Sequence, residues 1–176
     1  MIANTQTINL LELSPTNPQA ANFSGWQNAC ITTWDFALPV SDEMQGVFDV
    51  VFSNNVLQRF SYMSALNVLK GWEECLVDGG ELHVVVPSLE WACREVLHER
   101  PSPACMISLF GGQGGDGSVH LSGFTMRLLR ADFEKIGLHV FRARTGPVTM
   151  TVGDAEMTIE QHYVAGRRGA PVLKNE

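Results

Sequence analysis

Two stretches of this chain leave little choice about its architecture, FDVVFS from Phe48 to Ser53 and ELHVVVP from Glu81 to Pro87. Both are β-branched and almost unbroken in apolar character, the pattern of strands covered on both faces. Between them, SYMSALNVLKGWEECL carries Tyr62, Leu66, Leu69, Trp72 and Leu76 at helical spacing, which predicts one amphipathic helix. Asp78-Gly79-Gly80 is expected to end that helix, a glycine taking the left-handed cap conformation. Strand, helix and strand within about 40 residues make a βαβ unit, so the two strands should run parallel.

The flanking segments extend the same pattern. INLLEL, from Ile8, reads as an earlier strand that stops at Ser14-Pro15. Ser88 is placed to cap a helix over LEWACREVLHE, which should stop before Pro101, and ACMISLF reads as a short helix. Residues 100 to about 123 form the least regular stretch, with the glycine run GGQGGDG (Gly111 to Gly117) read as a lid. A helix beginning near Thr125 should end at Gly137. LHVFRART and AEMTIEQHYVAGRR are then strands, with a hairpin around Gly153-Asp154, and the tail from about residue 169 is expected to fray. No repeat or linker divides the 176 residues, so a single domain is expected. The fold class is α/β, a doubly wound, mostly parallel sheet flanked by helices, with an antiparallel strand near one edge.

Composition narrows the partners. The net charge of −7 argues against nucleic acid, whose binding draws on basic surface; Arg142, Arg144, Arg167 and Arg168 read as a solvated rim. No apolar run reaches the roughly 20 residues that span a bilayer, and the N-terminal residues have no basic segment before their apolar run. Cys30, Cys75, Cys93 and Cys105 show no CxxC spacing, and Cys75 and Cys93 fall on apolar helix faces. Buried free thiols in a reducing, cytoplasmic setting fit that pattern. His83 and His162 lie on strands, and a shared metal site would need a further ligand, so no metal is expected. GGQGGDG is not followed by the helix start of a phosphate loop, and no GxGxxG follows the first strand, which argues against a phosphate loop and a dinucleotide-dependent oxidoreductase.

WDFALP, FDVVFSNNVLQRF, VDGGELHVVVPSLE, LFGGQ, HLSGF and the helix ending in KIGL occur in an order that resembles the small class I S-adenosylmethionine-dependent methyltransferases, in particular those associated with cell-surface polysaccharide pathways. The resemblance runs from about Ile8 to Arg168. It implies a Rossmann-like fold, S-adenosylmethionine as cofactor, and methyl transfer to a small polar acceptor. INLLELS would be the first strand and its cofactor turn, with Leu11, Glu12 and Leu13 where the family has NLGSG. GWQNACI would lead into the second strand and put Cys30 where an acid normally holds the ribose hydroxyls. Asp35, followed by Phe36, would lie near the adenine amino group. Ser53 and Asn54 would sit at the carboxyl end of the FDVVFS strand, where open α/β sheets place ligands. His120, in VHLSGF, matches the family's late histidine and is the one general-base candidate; a locally bonded loop histidine is the alternative.

The departures fall on the cofactor side. Glycine serves the family's first turn because the backbone there comes close to the ligand, and Leu11 and Leu13 add branched side chains instead. A thiol at Cys30 cannot clamp a diol as a carboxylate does. The family's HVLEH reads Asn55-Val56-Leu57-Gln58-Arg59, which keeps hydrogen bonding and gives up proton transfer. These residues admit two functions: methyl transfer, or a non-catalytic descendant acting as a partner subunit or binding module, with an apolar patch around Trp26, Trp34 or Trp91. The partner is a small-molecule acceptor or a protein, with homodimer formation left open.

Overall fold

A computed structural model describes residues 10–14, 26–30, 42–98, 102–112, 119–152 and 155–169. Strands β1 (Leu10–Ser14), β2 (Trp26–Cys30), β3 (Phe48–Asn54), β4 (Leu76–Pro87), β5 (Leu138–Val152) and β6 (Ala155–Arg168) form one sheet in the order β2-β1-β3-β4-β6-β5. The first four pair in parallel, whereas β6 runs antiparallel to both β4 and β5. Among the described strands β6 alone is therefore reversed, one place in from the edge. The order changes direction between β1 and β3, which makes the carboxyl ends of these two strands the switch point of a doubly wound sheet.

The helices are α1 (Tyr62–Glu74), α2 (Leu89–Leu97), α3 (Pro103–Phe110) and α4 (Met126–Lys135). Each starts at a hydroxyl: Ser61, Ser88, Ser102 and Thr125 accept from the backbone amides of Ser64, Trp91, Cys105 and Leu128. The core is one cluster in which Leu82, Val84 and Val86 of β4 meet Val68, Leu69 and Trp72 of α1 and Leu129 and Phe133 of α4. Gly166 of β6 lets α4 come this close, since a Cβ there would stand 2.7 Å from the Phe133 ring.

Several expectations need correction. The buried face of α1 is Ala65, Val68, Leu69 and Trp72, while Tyr62 is exposed because it stands in the first, outward-facing turn. Asp78-Gly79-Gly80 does not end α1, which stops at Glu74 with Cys75 as its cap. The three residues instead form an irregularity inside β4, where pairing jumps from Phe48–Leu76 to Val50–Glu81. Gly79 takes φ +80°, and a Cβ on Gly80 would meet the Phe48 and Asp49 carbonyls at 3.1 Å. Cys93 is exposed on α2, whose buried residue is Ala92, while Cys75 and Cys105 are buried free thiols. Burial pushes the Cys75 thiol up to about 12. LHVFRART and the following hairpin arm form one strand, paired with β6 from Leu138–Arg168 to Val152–Ala155. The turn at Gly153-Asp154, the core of the glycine run (residues 113–118) and the tail beyond residue 169 lie outside the described residues.

The four arginines do not make one patch. Arg168 turns to the α1 side of the sheet, 2.9 Å from the half-buried Glu73, and also donates to the Leu76 carbonyl. Arg167, one residue along and so on the opposite face, pairs with Glu81. His83 and His162 also face opposite sides: His83 lies between Tyr163 and Glu81, and His162 between Thr145 and Glu90.

Glu90 joins three elements. Its carboxylate accepts from His162 Nε2 of β6 at 2.6 Å and from the Met126 amide at the start of α4 at 2.9 Å, while its own backbone lies in α2. Burial would raise its carboxyl, but the His162 and backbone hydrogen bonds outweigh that and hold it below its usual 4.5. A depressed carboxyl stabilises the fold at neutral pH and loses that contribution as pH falls through the lowered value. Glu90→Ala leaves Nε2 of His162, which is 2 % exposed, without its partner while Nδ1 keeps Thr145, and should cost about 2 kcal/mol of unfolding free energy in urea at pH 7. The difference from the unsubstituted chain should shrink on acidification; a cost that does not change with pH would mean the carboxylate is not the tie.

Candidate functional site

The chain leaves β3 through Asn55, which takes φ +56°, a left-handed conformation that asparagine tolerates better than most residues. Asn55 is fixed there by its amide on the Val85 carbonyl, its side chain on Asn54 Oδ1 at 2.9 Å, and a bond from Gln161 at 3.2 Å. This turn drops the chain into a 3-10 turn, Leu57–Arg59, at the carboxyl edge of the sheet.

Gln58 is the hub of this edge. Its carbonyl accepts from the Leu121 and Ser122 amides at 2.8 and 3.1 Å, which holds the segment after the glycine run against the turn. The base of that run is closed by a bridge between Gly111 and Val119. His120, between these anchors, has Nδ1 at 3.0 Å from the Ser108 carbonyl. A carbonyl only accepts, so Nδ1 carries the proton and a neutral ring leaves Nε2 as an acceptor. Gln58 Nε2 stands 3.5 Å from it and is the matching donor, which turns Gln58 Oε1 the other way. Burial lowers the His120 pKa below its usual 6.5 and nearby Arg59 lowers it further, against the Ser108 bond, so the ring is neutral at pH 7.

Beside this cluster lies a cavity of about 110 Å³ lined by Gln58, Pro87, Leu89, Ser108, Leu109, Ser122 and Gly123. Three of the residues that line it, Gln58, Ser108 and Ser122, each carry a buried side-chain oxygen with no hydrogen-bond partner among the described residues. A wider, open depression of about 410 Å³ lies around Glu74, Asp78 and Arg168 at the amino ends of β3 and β4. Ligands of open α/β sheets gather at the opposite, carboxyl end, so the smaller cavity is the candidate site.

The cofactor-side residues take these places. Leu11, Glu12 and Leu13 lie within β1, paired with Gln27, Asn28 and Ala29 of β2 and with Val51, Phe52 and Ser53 of β3. Cys30 is the last residue of β2, opposite Ser14. Ser53 is fully buried, its hydroxyl without a partner among the described residues, and Asn54 ends β3. Asp35 and Phe36 lie outside the described residues. No hydrogen bond among the described residues joins His120 to Ser53 or Asn54; Gln58, four residues beyond Asn54, links the two regions through the chain. Sequence reasoning did not single out Ser108 or Ser122 and gave Gln58 no role. The one signal was Ser108, a lone hydroxyl among apolar neighbours in ACMISLF.

No family model matches the chain, and no curated protein matches it in sequence. Solved structures do match. A SAM-dependent methyltransferase from Methanosarcina mazei is 11% identical, with 93% of each chain covered and a TM-score of 0.62. A protein named as a candidate methyltransferase, from Bacillus halodurans C-125, is 10% identical with 96% of each chain covered and the same TM-score. A structure tied to the conversion of a disulfide bond into a thioacetal group in echinomycin biosynthesis is 11% identical, over 92% of this chain and 76% of that one, at 0.62. With its strand order, its one reversed strand and these likenesses, the chain has the class I S-adenosylmethionine-dependent methyltransferase fold.

Proposed function

We propose that the protein transfers a methyl group from S-adenosylmethionine to a small polar acceptor, with His120 as general base. The observation that carries this reading is the state of His120: neutral at pH 7, fixed at Nδ1, with an Nε2 lone pair met by one long contact at 3.5 Å. An acceptor hydroxyl or amine can displace so weak a contact, and Nε2 can then take its proton. S-adenosylmethionine supplies, when bound, an activated methyl group on its sulfonium. The chain's part is to hold the acceptor in line and exclude water. Asn54, a neutral hydrogen-bonding group at the carboxyl end of β3 beside β1, fits a polar portion of such a cofactor, whereas Ser53 is fully buried. No helix of the described residues is long and apolar enough to cross a membrane, which leaves a water-borne acceptor open.

Cys30 at the end of β2 supports a second reading, a methyltransferase-fold subunit that no longer binds cofactor and works through a protein partner. Calorimetric titration with S-adenosylmethionine and S-adenosylhomocysteine separates the two: micromolar binding supports the enzyme, and no heat at millimolar ligand overturns it. Cys30→Asp restores a carboxylate for a diol, a charged hydrogen bond that should tighten S-adenosylhomocysteine binding about tenfold. Unchanged affinity would mean that β2 does not meet the ribose.

The histidine has its own test. NMR titration of the His120 ring should give a midpoint below 6.5, with Nε2 predominantly unprotonated at neutral pH. The acid limb of kcat/KM should fall at the same pH, and His120→Gln should lower kcat by about 10²-fold with cofactor affinity unchanged. A ring that titrates at or above 6.5 would remove the base.

A further inference from the structure

We infer that Gln161 of β6 is a positioning residue for ligand binding: through Asn55 it turns the Asn54 side chain so that its NH₂, a donor, faces a ligand oxygen at the carboxyl end of β3. Taking S-adenosylmethionine as that ligand rests on the proposed methyl transfer; the orientation of Asn54 follows from the chain's own hydrogen bonds.

A primary amide accepts through its oxygen and donates through its NH₂. An amide that bridges two neighbours therefore accepts on one side and donates on the other, and a row of bridging amides has one polarity along its length. Gln161 Nε2 donates to Asn55 Oδ1 at 3.2 Å. That leaves Asn55 Nδ2 as the donor toward β3, and it meets Asn54 Oδ1 at 2.9 Å. With its oxygen taken, Asn54 shows its NH₂, which has no hydrogen-bond partner among the described residues. Unlike the Ser53 hydroxyl before it, which is buried, Asn54 is half-buried and within reach of a ligand.

The backbone under this row is fixed. Asn55, at φ +56°, gives its amide to the Val85 carbonyl, and Gln161 is paired on both sides, with Pro87 of β4 and Gly146 of β5. What stays free is the turning of the amide groups themselves. The row reverses only if all three turn over together, so the residue at its far end decides which atom Asn54 shows. An outward NH₂ selects a group that accepts and rejects an ammonium, which only donates. In S-adenosylmethionine the amino-acid carboxylate and the ribose oxygens qualify, and the ammonium does not.

The experiment reverses the row from Gln161. In Gln161→Glu the carboxylate only accepts, so Asn55 must donate to it and accept from Asn54, which then shows its oxygen. Gln161→Met removes the tie and imposes neither polarity. Hydrogen exchange of the side-chain NH₂ groups, followed by NMR without ligand, reads the polarity directly. The Asn54 NH₂ should exchange freely in the unsubstituted chain and about tenfold more slowly in Gln161→Glu, where it is hydrogen-bonded. A merely structural loss would speed exchange instead. Calorimetry with S-adenosylhomocysteine follows in 1 M NaCl, where the Debye length is about 3 Å and the added charge is screened. Gln161→Glu should bind about tenfold more weakly than the unsubstituted chain, with Gln161→Met between them. 5′-Methylthioadenosine, which lacks the amino-acid end, separates the two oxygens: if it weakens likewise the contact is the ribose, and if it does not the contact is the carboxylate.

An Asn54 NH₂ that is slow to exchange in the unsubstituted chain, or unchanged by Gln161→Glu, overturns the relay. Slowed exchange with equal S-adenosylhomocysteine binding in all three chains overturns the contact with ligand. Slowed exchange with no heat from any chain removes the methyl transfer and keeps the orientation of Asn54 by Gln161.

Discussion

Strand β4 is the constraint on which the rest of the molecule depends. It is hydrogen-bonded along both edges, parallel to β3 and antiparallel to β6. Its alternate residues Leu82, Val84 and Val86 are wholly buried against α1 and α4. A parallel partner requires a crossover, which α1 supplies, and an antiparallel partner requires a chain that has gone out and come back, which the β5–β6 hairpin supplies. One face and both edges of β4 are thereby committed, and its carboxyl end delivers Pro87 to the cavity and Ser88 to the cap of α2.

What was legible in the sequence is what local pattern controls. FDVVFS and ELHVVVP declare buried strands because no exposed strand tolerates so many consecutive apolar residues. Ser88, Thr125 and Gly137 mark helix ends because a hydroxyl or a left-handed glycine satisfies the backbone there. The misreadings are of another kind. A glycine pair after a helix serves equally as a cap or as a bulge, and only the register between β3 and β4 decides for the bulge. Tyr62 has the spacing of the buried stripe and stands at the helix start, where the stripe has no sheet beneath it. Cys93 has helical spacing too, on a helix with only Ala92 buried.

The candidate site was legible only in outline. His120 was visible as a titratable residue in an irregular stretch, but its tautomer and lowered pKa depend on the Ser108 carbonyl, which comes from a different element. Gln58 looked like the remnant of a carboxylate. In the fold it fastens the 120–123 segment through its carbonyl and orients the histidine through its amide nitrogen, leaving one buried oxygen without a partner among the described residues. That an atom is unpaired is a tertiary property, and no spacing rule carries it.

The departures from the resembled pattern have different physical weights. Where the resemblance puts a carboxylate and glycines, a thiol at Cys30 would give up a charged hydrogen bond, and Leu11 and Leu13 would add volume. At the 55–59 turn, Asn55 and Gln58 hold the fold itself: Asn55 accepts from Gln161, and the Gln58 carbonyl fastens Leu121 and Ser122.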